Sequence, residues 1–333
     1  MLTTIDNLQP VKKSLFRPNG AGKLDKLEHL TQAAPNKGLK SLNRRAKTKF
    51  LQAVWVKSLV DLGGPLSAQY LDTLKCSCSI KQKGEKFTSR YCGHRWCLIC
   101  NRIRTAKLIN AYEKPLDALT DKQFVTLTRP NVPGEKLKSE IDYFYKWWRS
   151  MLRVSVKEGL NLSGIRKLEI TYNHKRNDYH PHFHLIVEGK EGAKYILDKW
   201  MQANQTASID AQDIRDCFSY KDLFKYVTKL TTKIQRGPNE FDYFNPEAID
   251  HIFQTIKGAR IYQGFGSVKK VKVSEEIETE QALEIKGEEG ENVFKWVYNT
   301  WLNVKTDEPL TTWEPDEEIK KYRKRIIFTP PPV

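Results

Sequence analysis

The chain has 333 residues, 39% hydrophobic and 11% aromatic, enough for a sizeable core in one large domain or two ordinary ones. No stretch approaches the ~20 consecutive apolar residues of a membrane span, and the first residues carry no apolar signal core, so a cytoplasmic protein without membrane contact is expected. Lys and Arg number 56 against 40 Asp and Glu, a formal +16 that suggests a polyanionic partner, although charge alone fits a merely basic soluble protein equally well.

Residues 1–42 are polar and basic, with Pro10, Pro18 and Pro35 and no clear period, and read as a disordered arm. A helical and cysteine-rich region is expected over 43–115. Its helix runs from about 43 to 73, with Phe50, Val54, Leu59 and Leu62 among the apolar positions. Five of the six cysteines then fall between positions 76 and 100, as Cys76-x-Cys78 and Cys92-x4-Cys97-x2-Cys100. Clustering of this kind points to metal in a reducing compartment rather than to disulfides. A C-x2-C knuckle lets two thiolates grip one tetrahedral zinc, and a second pair closes the site. Cys97, Cys100 and Cys92 are the expected ligands, with one of Cys78 and Cys76 as the fourth and His94 in reserve. Such a closed site would be structural, holding together a segment too polar to fold alone. The helix leaving the cluster carries Arg102, Arg104 and Lys107, which suit phosphate contact; a solvated basic face is the equal alternative.

Further along, 123–128 (QFVTLT) alternates and is rich in β-branched residues, the signature of a strand. Residues 136–157 carry Tyr143, Phe144, Trp147, Trp148 and Leu152 at helical spacing, a stripe that belongs more often to a core than to a nucleic-acid platform. Two strands, 165–172 and 179–187, flank the polar linker NHKRND and read as a hairpin. Helices are expected over 191–205 and 219–233. The acidic run 274–292 opens a C-terminal connection and tail, 274–333, that is not expected to carry chemistry.

The run His180-Pro-His182-Phe-His184 carries the sharpest signal. Strand side chains alternate, so His182 and His184 share one face while Phe183 packs on the other, a spacing that lets two imidazoles hold one divalent ion. A third ligand is needed. Glu169, on the opposite arm of the hairpin, is preferred, with His180 as the alternative. Two histidines and a carboxylate leave positions open for a phosphate oxygen and make a Lewis acid, for which Mg²⁺ or Mn²⁺ is the expected ion.

On the helix expected over 219–233, Asp222, Tyr226 and Lys229 fall at i, i+4 and i+7 on one face. A phenol is a poor nucleophile near neutral pH, but a neighbouring Lys229 ammonium favours phenolate, and Asp222 can accept a proton. Tyr220 is the rival nucleophile, about 240° round the helix.

Together these segments resemble the HUH endonucleases, and within them the plasmid rolling-circle replication initiators. FVTLTRPN (124–131) resembles that family's first motif, LEITYN with YHPHFHLIV its second, DLFKYVTK (222–229) its tyrosine motif, and RYCGHRWCLICNRIR (90–104) the cysteine-rich element that precedes them. The resemblance covers about residues 75–270, with the motifs in the family's order. It implies an α+β nickase core, here 116–273, with a central antiparallel sheet, helices on one face and the ion on the other. It also implies that Tyr226 attacks a phosphate of plasmid origin DNA, leaving a 5′-phosphotyrosine and a free 3′-OH. A host helicase and a DNA polymerase would be partners. The family often has a glutamate where this chain has Asp222, a residue associated with the water attack that ends replication. Two other readings stay open: a relaxase or single-strand transposase of the same superfamily, and a zinc-containing DNA-binding repressor without cleavage.

Overall fold

A computed structural model describes residues 37–83, 86–224, 234–237, 240–242, 245–272 and 291–317. The described residues from Gly38 onward belong to one compact unit.

The centre of the main unit is a five-stranded antiparallel sheet. Its strands are β3 (Lys122–Thr128), β4 (Gly164–Asn173), β5 (Asp178–Glu188), β6 (Asp213–Asp216) and β9 (Tyr262–Phe265), ordered β6-β3-β5-β4-β9. The predicted hairpin is β4–β5, and its register sets Glu169 opposite His182 and Lys167 opposite His184. On the other side of β5, Thr128 faces His182 and Thr126 faces His184. Alternation therefore divides the sheet in two. Val125, Leu127, Leu168, Ile170, Phe183, Leu185 and Val187 form one face, every one buried. The His and Glu side chains belong to the other.

The apolar face is covered by α4 (Gly134–Lys157) and α5 (Lys190–Ala203). Leu137, Ile141, Phe144, Trp148 and Met151 make the buried stripe of α4, so the aromatic repeat is core, as its spacing favoured. Phe144 meets Phe183 edge-on at 5.0 Å and lies 4.9 Å from Trp200 of α5. Each fully buried side chain of this size contributes about 1.5–3 kcal/mol. Helix α6 (Pro246–Thr255) starts sharply because Asn245 accepts a hydrogen bond from the Ala248 amide at 2.8 Å and Pro246 pre-sets the first turn.

Four expectations need correction. The helix expected over 43–73 is two: α1 (Lys37–Asp61), which begins inside the segment read as an arm and buries Leu42 and Ala46, and α2 (Ser67–Leu74), broken from it at Gly63-Gly64-Pro65. The helices do not keep to one face. At one end of the ligand face, Ile165 and Ile186 pack against Tyr112 and Leu116 of α3 (Leu98–Asp117) and against Tyr220, Leu223 and Phe224. The C-terminal part is more than a tail, because β10 (Glu291–Val297) and β11 (Thr300–Asn303) join β1 (Ser79–Lys83) and β2 (Lys86–Ser89) in a second sheet, β11-β10-β1-β2. Trp301 and Phe294 bury themselves there against Ile80, Phe87, Leu42 and Ala46. Finally, of the helix expected over 219–233, the described part is a 3-10 turn, Lys221–Phe224. Two short strands, β7 (Ile234–Gly237) and β8 (Glu240–Asp242), pair as a ribbon. No helix among the described residues is long and apolar enough to cross a membrane.

Candidate metal centres

Two groups of potential metal ligands stand out among the described residues: Cys76, Cys92, Cys97 and Cys100, and Glu169, His182 and His184. In each, the ligand atoms lie within 4.8 Å of one another.

The thiol group joins three segments. Cys97 caps α3, accepting from the Cys100 amide, and places two thiols on the first turn. Cys92 approaches across Gly93, whose φ of +74° suits glycine and whose amide donates to Cys100 Sγ at 3.3 Å. Cys76 arrives from the end of α2, its Sγ 3.5 Å from that of Cys100, and Cys92 Sγ lies 3.6 Å from the same atom. Hydrogen bonds from Cys76, Cys92 and Cys97 hold the Cys100 thiol well below its ordinary value, favouring thiolate. Four buried or half-buried thiols fit a tetrahedral soft-metal site. Cys78, the other candidate for the fourth ligand, is outside the group. Ser77 between them has φ +56°, so the chain turns, and Cys78 Sγ instead meets the Lys49 ammonium at 3.3 Å. Lys49 also donates to the carbonyls of Cys76 and Leu74, while Trp301 Nε1 donates to Ser77 O at 2.8 Å. The C-terminal sheet thus clamps the turn that selects Cys76. His94, the reserve ligand, stacks on Trp96 and lies 3.8 Å from Asp72.

The histidine group is built on the open end of the ligand face. His182 Nε2 and His184 Nε2 are 3.0 Å apart, and Glu169 Oε2 is 3.5 Å from His184 Nε2. His182 Nδ1 meets the His180 carbonyl at 3.0 Å, so in the neutral ring Nδ1 carries the proton and Nε2 presents its lone pair. His184 Nδ1 is oriented by Thr126 Oγ1 at 3.1 Å. Ligands about 2.1 Å from an octahedral ion and cis to one another lie about 3.0 Å apart, so the paired nitrogens suit one divalent ion. Glu169 is 1% exposed and accepts from the equally buried Lys167 ammonium at 2.7 Å. That pairing offsets the carboxylate charge, and a divalent ion here would keep most of its own. Lys167 was legible in the sequence as a same-face neighbour of Glu169, but its burial was not. His180, the alternative third ligand, stands two pairs further out opposite Thr171, with burial pulling its imidazole below the ordinary histidine value.

The tyrosine motif is only partly within view. Tyr226 and Lys229 lie outside the described residues, as does the side chain of Asp222. Its described start is anchored: Tyr262 donates to the Phe224 carbonyl at 3.0 Å, and Phe224 stacks between Tyr262 and Tyr112. Tyr262 pairs with Lys167 in the sheet. The rival Tyr220 is buried in that cluster and donates to Asp117 at 2.9 Å; burial first, then this bond, pushes its phenol well above the ordinary value. A phenol so held is a poor source of phenolate.

The three basic residues expected to meet phosphate all make interactions within the chain. Arg102 donates to Arg44 O and Thr48 Oγ1, and Arg104 to Gly93 O and Asn101 Oδ1, lacing α3 to α1 and to the knuckle. Lys107 is half-buried on the same helix.

The fold and these groups define a mixed α+β protein of antiparallel sheets with one thiol cluster and one histidine–carboxylate cluster. A family model described as "Replication protein" matches residues 84–307, and the chain belongs to that replication protein family. It is 30% identical over 135 residues to a "Protein rep" of Staphylococcus aureus, covering 39% of this chain and 58% of that protein. It is 25% identical over 202 residues to a "Protein rep" of Streptococcus pneumoniae serotype 2, covering 55% and 62%. A "Protein rep" of a Bacillus species is 32% identical over 143 residues, covering 39% and 46%. The matches thus span less than two thirds of these relatives' lengths. No solved structure matches the chain.

Proposed function

We propose that this replication protein initiates rolling-circle replication of a plasmid, with an HUH-type nickase core that cuts one strand of the origin by tyrosine transesterification. The observation that carries the reading is the convergence of Glu169, His182 and His184 on one sheet face, oriented by Thr126 and the His180 carbonyl. A divalent ion held there, Mg²⁺ or Mn²⁺, would withdraw charge from a phosphate oxygen. Nearby lies the start of the tyrosine motif, fixed at Phe224 against Tyr262.

In the proposed step the Tyr226 oxygen attacks the scissile phosphorus and the bond to the 3′ oxygen breaks. The phenolic proton passes to Asp222, and the leaving 3′ oxygen takes up a proton to become a hydroxyl. Lys229 favours the phenolate and holds the phosphate. One phosphodiester replaces another, so the 5′-phosphotyrosine can be rejoined to a 3′-OH, while the free 3′-OH primes a polymerase behind a host helicase. The thiol cluster, with zinc, would hold α2, α3 and the second sheet together. The test is incubation with single-stranded origin DNA and Mn²⁺, followed by end analysis. Expected is a 3′ end that a polymerase extends and a 5′ end blocked by protein. A free 5′-phosphate on the downstream product would instead indicate hydrolysis by activated water. No cut under any divalent ion would favour a DNA-binding repressor.

A further inference from the structure

The third histidine of the run, His180, is left over by the metal group, and it borders a polar cleft of about 470 Å³ at the tip of the β4–β5 hairpin. The cleft is also lined by Asn131, Thr171, Asn173, Lys175 and Arg176. Thr171, Asn173 and His180 share, by alternation, the sheet face that carries Glu169 and His182. Thr171–His180 is the next pair but one after Glu169–His182 along the ladder, about 7 Å on. The His180 and His182 rings are 5.1 Å apart, so the cleft opens directly beside the metal group.

Its walls are set rather than loose. Asp178 accepts from Asn131 at 2.6 Å and from Arg176 at 2.8 Å, and Asn173 accepts from the amides of Lys175 and Arg176, closing the turn. Val132 and Tyr179 exchange backbone hydrogen bonds and hold the 129–131 loop against the hairpin. The space falls within the range of small-ligand clefts. Its chemistry is two amide side chains, which can meet the edge of a base, an imidazole face for stacking, and the Lys175 ammonium at the rim for a phosphate.

We propose that this cleft seats one unpaired nucleotide of the DNA strand, immediately flanking the phosphate that lies on the metal group. The assignment rests on the nickase reading for the identity of the strand, and it adds a base-contacting subsite to that reading. Through Asn131 and Asn173 the subsite would contribute to choosing where the origin is cut.

The test uses the full chain and a fluorescent single-stranded origin oligonucleotide, with anisotropy in buffer without added divalent ion, so that binding is read with the histidine group unloaded and the thiol cluster intact. Two variants are compared: Asn131→Ala with Lys175→Ala, and Thr171→Trp, which fills the cleft from an exposed strand position. Each is expected to weaken binding about tenfold, the scale of one lost base contact. An abasic substitution at one nucleotide flanking the cut should weaken wild type by a similar factor and add nothing further in either variant. Binding within twofold of wild type in both folded variants, or losses that multiply with every abasic position, would overturn the subsite. Cleavage in Mn²⁺ is read in parallel. Wild type that cuts while both variants bind and cut normally sinks the subsite alone. Wild type that never cuts, yet keeps the abasic pattern, sinks the nickase and leaves the subsite standing.

Discussion

The two candidate metal centres use different architecture for different ends. The thiol cluster draws Cys76, Cys92, Cys97 and Cys100 from three segments, and around it Lys49 and Trp301 tie in α1 and the C-terminal sheet. The histidine cluster draws all its ligands from one hairpin that the apolar core already holds rigid. The first group, fully ligated by protein, matches the logic of a structural site; the second, with three ligands, matches a site meant to take substrate. A metal that assembles a fold and a metal that a fold presents should therefore fail in different ways.

Breaking the first group should have the largest effect. Cys97→Ser, or prolonged chelation, is expected to lower stability by on the order of 3–5 kcal/mol and to melt the β1–β2–β10–β11 sheet, read by thermal melting and zinc content. Survival of a wild-type melt would erase the contrast. His182→Ala should instead leave the melt nearly unchanged and slow nicking by about 10²–10⁴-fold, the several kcal/mol that a bound divalent ion supplies. Lys167→Met sharpens the comparison within the second group. It leaves the buried Glu169 charge without its ammonium, and should cost about 3 kcal/mol in EDTA, with much of the loss recovered on adding Mn²⁺. Equal melts with and without Mn²⁺ would show that Lys167 and the ion do not share the carboxylate.

The smallest effect lies outside both clusters, at Tyr220. Its phenol is raised by burial and by the bond to Asp117. The stability that this bond gives is present below the ordinary phenol value near 10 and is lost as pH rises above it, because the unfolded chain then ionises first. Tyr220→Phe should cost about 1 kcal/mol at neutral pH, flatten the alkaline loss, and leave nicking unchanged.

Local patterns were legible in the sequence. Period-two histidines, a hairpin with a polar turn, and the parity that sets Glu169 opposite His182 all follow from short-range geometry. The aromatic stripe of α4 read correctly as core for the same reason. What stayed hidden depends on partners far along the chain. Cys76 is preferred over Cys78 because Lys49 and Trp301, 27 and 224 residues away from the atoms they bind, fix the intervening turn. Strand β10 finds β1 across more than half the chain, and the four-residue β6 and β9 carry too little pattern to be called strands alone. The second-face packing of α3 follows from Tyr112 and Leu116 meeting Ile165 and Ile186, a match that no single segment displays.

The central claim is tested most directly by trapping the protein on single-stranded origin DNA with Mn²⁺ and mapping the DNA-linked peptide by mass spectrometry, wild type beside Tyr226→Phe. The account predicts a phosphotyrosyl adduct on Tyr226 that needs the ion and disappears in the variant. An adduct on Tyr220, or cleavage that persists in Tyr226→Phe, would contradict it.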